Sequence, residues 1–176
     1  MNTKFTYALI LTIIQAVFAL LMYFTGFQTE KLAAGQYLNW LSLPITIAVL
    51  YLGIKAVREE SADKSLSYGQ GVGAGVLISL YSGLMSGAYN FIHFKYVAPE
   101  FFDFQMEMIR TKWAAAGMSS TQIEQAEAIS SKFMGPVSTA IMTPLMTVFF
   151  GLILALIISA FLKRPAPAVV AESPAS

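Results

Sequence analysis

Long apolar runs separated by short polar stretches organise this chain. Four runs, residues 5–25, 37–54, 71–94 and 136–162, hold no Asp, Glu, Lys or Arg. A helix rising ~1.5 Å per residue needs about 20 residues to cross ~30 Å of hydrocarbon. The pattern therefore predicts an all-α, polytopic membrane protein with four transmembrane helices. The first run is longer than the ~7–15 apolar residues of a signal peptide, and no A-x-A site follows it, so it reads as a retained helix.

The stretch between the third and fourth runs has a helical pattern of its own. Residues 99–116 place Pro99 in a first turn, Glu100 and Asp103 early, Arg110 and Lys112 late, and Gly117 at the close. That order complements the helix dipole. Phe102, Met106, Ile109 and Trp113 share one face. A second helix, residues 120–133, is expected from the capping box Thr121-x-x-Glu124, with Ile123, Ala126, Ile129 and Phe133 on one side. The two form a short helical hairpin in the long outer loop, lying on the membrane interface or capping the bundle. Residues 1–164 then make one transmembrane domain, and the Pro- and Ala-rich residues 165–176 a disordered cytoplasmic tail.

Composition agrees with this reading. The chain of 176 residues is 56% hydrophobic and 12% charged, about half the charge of a soluble domain. A net charge of +1 leaves no basic surface for nucleic acid. With no cysteine there are no disulfides, thiolate metal sites or cysteine nucleophiles. Lys4, Lys55, Arg58, Lys64, Lys163 and Arg164 all flank one side of the four runs. Basic residues near helix ends favour the inner side, so both termini are expected to be cytoplasmic.

The third run keeps a small residue at every fourth place: Gly71, Gly75, Ser79, Gly83 and Gly87. The fourth carries Thr139, Thr143, Thr147, Gly151, Ala155 and Ser159, and the first a shorter line, Ala8, Thr12 and Ala16. In lipid, helices associate through close van der Waals approach, which small residues permit. The third and fourth helices are therefore expected to pack together along these ridges. A four-residue step drifts ~40° around a straight helix, so the glycine ridge is expected to need two different neighbours along its length. Pro44 and Pro144 are expected to kink their helices, Pro144 freeing the Ala140 carbonyl for a neighbouring hydroxyl.

Candidate chemistry is sparse. Gln15, Asn90 and His93 are the notable polar residues of the runs, and an ionisable group inside a span is a functional suspect. His93, beside Lys95 and Tyr96, is placed at interfacial depth with an ordinary hydrogen bond. Together the three residues make a candidate polar path. Glu100, Asp103 and Glu107 share a side and could hold a cation, yet acids suit a helix start. The stretch YGQGVGAG at residues 68–75 follows no strand and precedes no Walker lysine, so it is no nucleotide loop. No catalytic, cofactor-binding or metal-ligating residue is expected, and nothing argues for an enzyme.

Four motifs bear a family resemblance: SLSYGQG at 65–71, VAPEFFDF at 97–104, GMSSTQIEQ at 117–125 and FFGLILALIISAFLKR at 149–164. In order and spacing the chain resembles bacterial inner-membrane proteins grouped as domain of unknown function 4199. The resemblance implies a four-helix protein of the cytoplasmic membrane and carries over no activity. The leading expectation is a non-enzymatic bundle, in contact with membrane lipid, that self-associates or accompanies another membrane protein. The rival is a small oligomeric transporter or channel.

Overall fold

The computed structural model describes residues 2–165; the predicted tail from residue 166 onward lies outside them. Among the described residues seven α-helices occur in the order α1 (Thr3–Phe24), α2 (Leu32–Leu38), α3 (Ser42–Glu59), α4 (Tyr68–Ile92), α5 (Phe101–Ala115), α6 (Ser120–Ser130) and α7 (Pro136–Leu162). Four helical stretches are long and apolar enough to cross a membrane: Thr3–Phe24, Leu32–Glu59, Tyr68–Val97 and Pro136–Leu162. No strand occurs among the described residues.

The second span starts earlier than its apolar run, because α2 leads into α3 through a 3₁₀ turn at Asn39–Leu41. The break falls ahead of Pro44, not at it. Pro44 has no N–H for the Trp40 carbonyl, so regular α-helical bonding is lost just before α3 begins. At the other end of α4, a π turn over His93–Val97 is closed by Ala98 N–H donating to the His93 carbonyl at 2.8 Å.

Helix α4 begins at a capping box: the Ser67 hydroxyl accepts from Gln70 N–H, and Ser67 N–H donates to Gln70 Oε1 at 2.9 Å. The same device starts α6, with Ser119 and Gln122 in place of the expected Thr121 and Glu124. The helix starts one residue before Thr121, which leaves that threonine inside the first turn. Pro99 likewise lies in the turn before α5, whose cap is Glu100.

The start of α1, the end of α3, the start of α4 and the end of α7 meet at one end of the bundle. Thr3 bonds Glu60, and Leu66 and Arg164 exchange two backbone hydrogen bonds of 2.9 Å. Helix α4 is central. Half of its most apolar window is buried, against 17 to 28% for the other three spans.

Its glycine ridge faces α7 from end to end. A Cβ built at Gly71 would stand 2.6 Å from Ser159 Oγ, one at Gly75 2.5 Å from Ala155 Cβ, and one at Gly83 3.2 Å from Thr147 Cβ. Between them Gly151 leaves room for the side chain of Ser79. Each step of four along α4 is thus matched by a step of four back along α7. The expected change of neighbour does not occur, since both ridges drift in the same sense. A repeat longer than 3.6 residues keeps its seam shut when the pair winds right-handedly, and straightness was the assumption that failed.

Helix α1 takes a different face of α4. Thr12 Oγ1 lies 3.2 Å from Ser82 Oγ, and Ala8 joins Leu50, Ile54, Ala74 and Ile78 in the apolar core. Helix α3 closes that core at Gly53, where a Cβ would meet Ile78 Cδ1 at 2.7 Å and Tyr7 Cβ at 3.1 Å.

Pro144 frees the Ala140 carbonyl as expected, but no hydroxyl among the described residues donates to it. It lies instead against Gly87, whose Cβ would stand 2.7 Å away. This contact gives a paired test. Alanine favours a helix over glycine by up to ~1 kcal/mol, while overpacking a fixed backbone costs ~1–3 kcal/mol. A Cβ at Gly73 would meet nothing within 4 Å. Gly73→Ala should therefore leave thermal stability in mild detergent unchanged or raised, whereas Gly87→Ala should lower it. Equal stability of the two variants would mean that α7 does not lie against Gly87.

Candidate functional site

The three polar residues singled out from the sequence do not bond one another: Gln15 and His93 lie on the α1 side of α4, and Asn90 on its α7 side. Asn90 looks toward α7, where its amide donates to Thr143 Oγ1 at 3.0 Å. Thr143 in turn donates to the Thr139 carbonyl at 2.7 Å. This pair continues the small-residue seam with a hydrogen bond where the glycines end.

Gln15 sits on α1 between α3 and α4. Its Oε1 accepts from Ser86 Oγ at 3.3 Å, and its amide nitrogen reaches Thr46 Oγ1 at 3.5 Å. The second contact is at the outer limit of a hydrogen bond, so half of this amide is held loosely.

His93, expected at interfacial depth with an ordinary hydrogen bond, is fully buried within the fold. The loop after α1 folds over it, and Gln28 Oε1 lies 2.8 Å from its Nε2. Gln28 is oriented by donating its own amide to the Ala19 carbonyl at 3.2 Å. The amide oxygen therefore faces the ring and accepts the Nε2 proton. On the other side Tyr89 Oη stands 3.1 Å from both His93 Nδ1 and the Ala16 carbonyl. One hydroxyl proton serves two acceptors there. Tyr23 and Phe94 close the ring in, edge to face, at 6.2 and 5.1 Å between centroids.

Sequence reasoning missed Gln28. It lies 65 positions from His93, in a turn that carries no motif, and folding alone brings the two together. The ridge residues themselves, Gly71, Gly75, Ser79, Gly83, Gly87 and their partners on α7, are packing positions, of which Ser79, Thr147 and Gly151 also border a groove beside the seam. Among the described residues no three of His, Cys, Asp and Glu converge into a metal site. Glu100 caps α5 without a side-chain bond, and Asp103 and Glu107 are exposed along it.

Beyond the spans, α5 and α6 are joined by a turn in which Gly117 takes φ +83°. Arg110 Nε donates to Glu127 Oε2 at 2.8 Å across the pair. Neither helix contains a buried residue. The face of Phe102, Met106, Ile109 and Trp113 is half-covered, while Ile129 and Phe133 are 60% and 74% exposed. An aromatic stack ties the pair to the bundle: the Phe94 and Phe101 ring centroids are 4.7 Å apart.

The family model described as Protein of unknown function (DUF4199) matches residues 6–164, nearly the whole chain. No curated protein and no solved structure gives a match.

The buried His93 cluster generates its own test. Gln28→Leu removes the acceptor from a fully buried N–H, which costs ~1–3 kcal/mol. Asn90→Leu deprives Thr143 of one donor but leaves its bond to Thr139. Gln28→Leu should therefore lower the melting temperature in mild detergent more than Asn90→Leu. The reverse order would show that Gln28 does not hold His93.

Proposed function

The chain belongs to the DUF4199 family of proteins of unknown function, and we propose that it is a non-enzymatic binding protein of the bacterial cytoplasmic membrane. In this reading it self-associates or accompanies another membrane protein, and α5 and α6 form the contact surface. The observation that carries it is the apolar side chains which the chain leaves uncovered there, above all Ile129 on α6 and Phe133 in the turn that follows it. Monomers seldom leave such side chains grouped beside a folded helix pair without a partner. Phe133 also borders a shallow hollow of about 280 Å³ with Met142 and Met146 of α7, so the surface runs on into the span.

The transporter reading has less support. It draws on Gln15, Asn90 and His93 as one path, yet these residues bond to different neighbours. Gln15 and Asn90 each bond across two helices, and His93 is held by the loop residue Gln28 and by Tyr89 one turn before it.

Orientation is part of the proposal. The ends of α3 and α7 and the starts of α1 and α4 meet with Lys4, Lys55, Arg58, Lys64, Lys163 and Arg164 near them. Basic residues so placed favour the cytoplasmic side. Both termini are then inside, and α5 and α6 outside.

Two measurements test the reading. A cysteine at Ser119 should react with an impermeant maleimide in intact cells, while one at Ser61 should not; labelling of Ser61 alone would invert the topology. A photo-reactive residue at Ile129 or Phe133 should give a discrete protein adduct, either a dimer of this chain or one recurring partner. Adducts to lipid alone at both positions would overturn the proposed contact surface.

A further inference from the structure

Helix α3 leaves the seam between α4 and α7 open on one side. A groove of about 530 Å³ lies there, within the size of small-molecule sites (~300–1,000 Å³). Leu11 and Gln15 of α1, Thr46 of α3, and Thr147, Phe150 and Leu154 of α7 line it. Trp40 stands at one end, and no Asp, Glu, Lys or Arg reaches it.

Besides the exposed Asn39, two polar groups in this groove have unused hydrogen-bonding capacity. Gln15 Nε2 has its 3.5 Å contact with Thr46 and no other side-chain partner among the described residues. Thr46 is itself committed to the Ser42 carbonyl at 2.8 Å. Thr147 differs from the threonines before it on α7. Thr139 and Thr143 bond back to the carbonyls four residues earlier, whereas the Thr147 hydroxyl bonds no atom of the described residues. The two groups belong to different helices and border the same space. In hydrocarbon an unpaired donor costs several kcal/mol, so each such group calls for an acceptor.

We infer that this groove binds an uncharged, lipid-soluble carbonyl compound of the quinone or ketone type. Its oxygen accepts from Gln15 Nε2 and the Thr147 hydroxyl. The absence of ionisable lining excludes a charged ligand, which would be stranded in the span. Depth selects against a glycerolipid. Gln15 lies nine residues before the end of α1 at Phe24, ~14 Å along the helix axis. Ester carbonyls sit at the interface, above that level. A ring or ketone carbonyl carried on an apolar chain can reach it, with Phe150 and Leu154 along its flank.

The test uses the full chain in nanodiscs of phosphatidylethanolamine and phosphatidylglycerol, with Trp113→Phe so that Trp40 is the remaining fluorophore. A decyl-substituted benzoquinone should quench Trp40 with saturation. Thr147→Val keeps the side-chain shape and removes a hydroxyl that no described residue uses, so folding should be untouched. It should weaken binding about fivefold, the worth of one neutral hydrogen bond. Gln15→Leu should weaken it at least as much, with melting temperature as the control for folding. The fully O-methylated hydroquinone of the same chain length, which lacks carbonyls, should not saturate. Quenching that rises linearly with quinone, as for partition into lipid, would overturn the inference. So would unchanged affinity in Thr147→Val, or equal binding of the methylated compound, which would make the groove merely apolar. Displacement of the quinone by phosphatidylglycerol across a lipid titration would assign the groove to lipid and overturn the choice of ligand.

Discussion

Everything in this fold hangs on the backbone of α4 coming close to the backbone of α7. Lipid supplies no hydrophobic drive between two apolar helices, so the attraction has to come from packed atoms. Those atoms are available only where side chains are absent. Gly71, Gly75, Gly83 and Gly87 open α4, and Gly151 opens α7 where Ser79 needs the space. Dispersion falls off steeply with distance, so a one-sided gap of even an ångström forfeits much of the contact. This is why the small residues recur in register on both helices.

The placement of the other helices depends on that seam. With one face of α4 taken by α7, α1 and α3 share the remainder, and they use different chemistry. Ala8, Leu50, Ile54 and Ile78 interlock as an apolar core, while Thr12 and Ser82 meet through hydroxyls. Pro144 belongs to the same logic. Its missing N–H exposes the Ala140 carbonyl, and Gly87 is the residue that lets a helix lie against that oxygen without a clash. A Cα–H contact to the carbonyl is a modest attraction of the kind frequent at helix–helix interfaces.

Much of this was legible in the sequence, for definite reasons. The four spans show because lipid demands long uncharged runs, and the ridges show because a period of four survives inspection residue by residue. The partner of the glycine ridge could be deduced, since α7 carries a second ridge of small residues at the same four-residue spacing. What failed was the assumption of straight helices, which wrongly divided the ridge between two neighbours. The surroundings of His93 were not legible, because the loop carrying Gln28 folds back over it and nothing local in the sequence encodes that loop's path. The capping box of α6 slipped because Ser119 and Gln122 compete with Thr121 and Glu124, and both pairs fit the same spacing. The groove beside Gln15 had no sequence signal at all. It arises where α3 and α7 do not meet, and an absence of contact is written in no single motif.

The π turn after α4 divides the molecule into two regimes. Its first residue, His93, still belongs to the bundle through Gln28 and Tyr89. The next, Phe94, already stacks on Phe101 and faces α5. A π turn inserts one residue into the helical ladder and so rotates the chain beyond it by ~100°. Adjacent side chains can thereby serve a closed core on one side and an open helix pair on the other. Before this turn nearly every small or polar side chain has a neighbour within the chain. After it, α5 and α6 bury no residue, and their order rests on capping, the Arg110–Glu127 ion pair, the Phe94–Phe101 stack and a bond from Lys112 Nζ to Gln36 Oε1 at 3.3 Å. Surface ion pairs contribute ~0–1 kcal/mol, so this pair is held far less firmly than the spans. A bundle closed by backbone contact and a loosely held apolar helix pair beyond it are suited to different tasks. The first is held by its own backbone contacts, and the second leaves its apolar side chains uncovered by the rest of the chain.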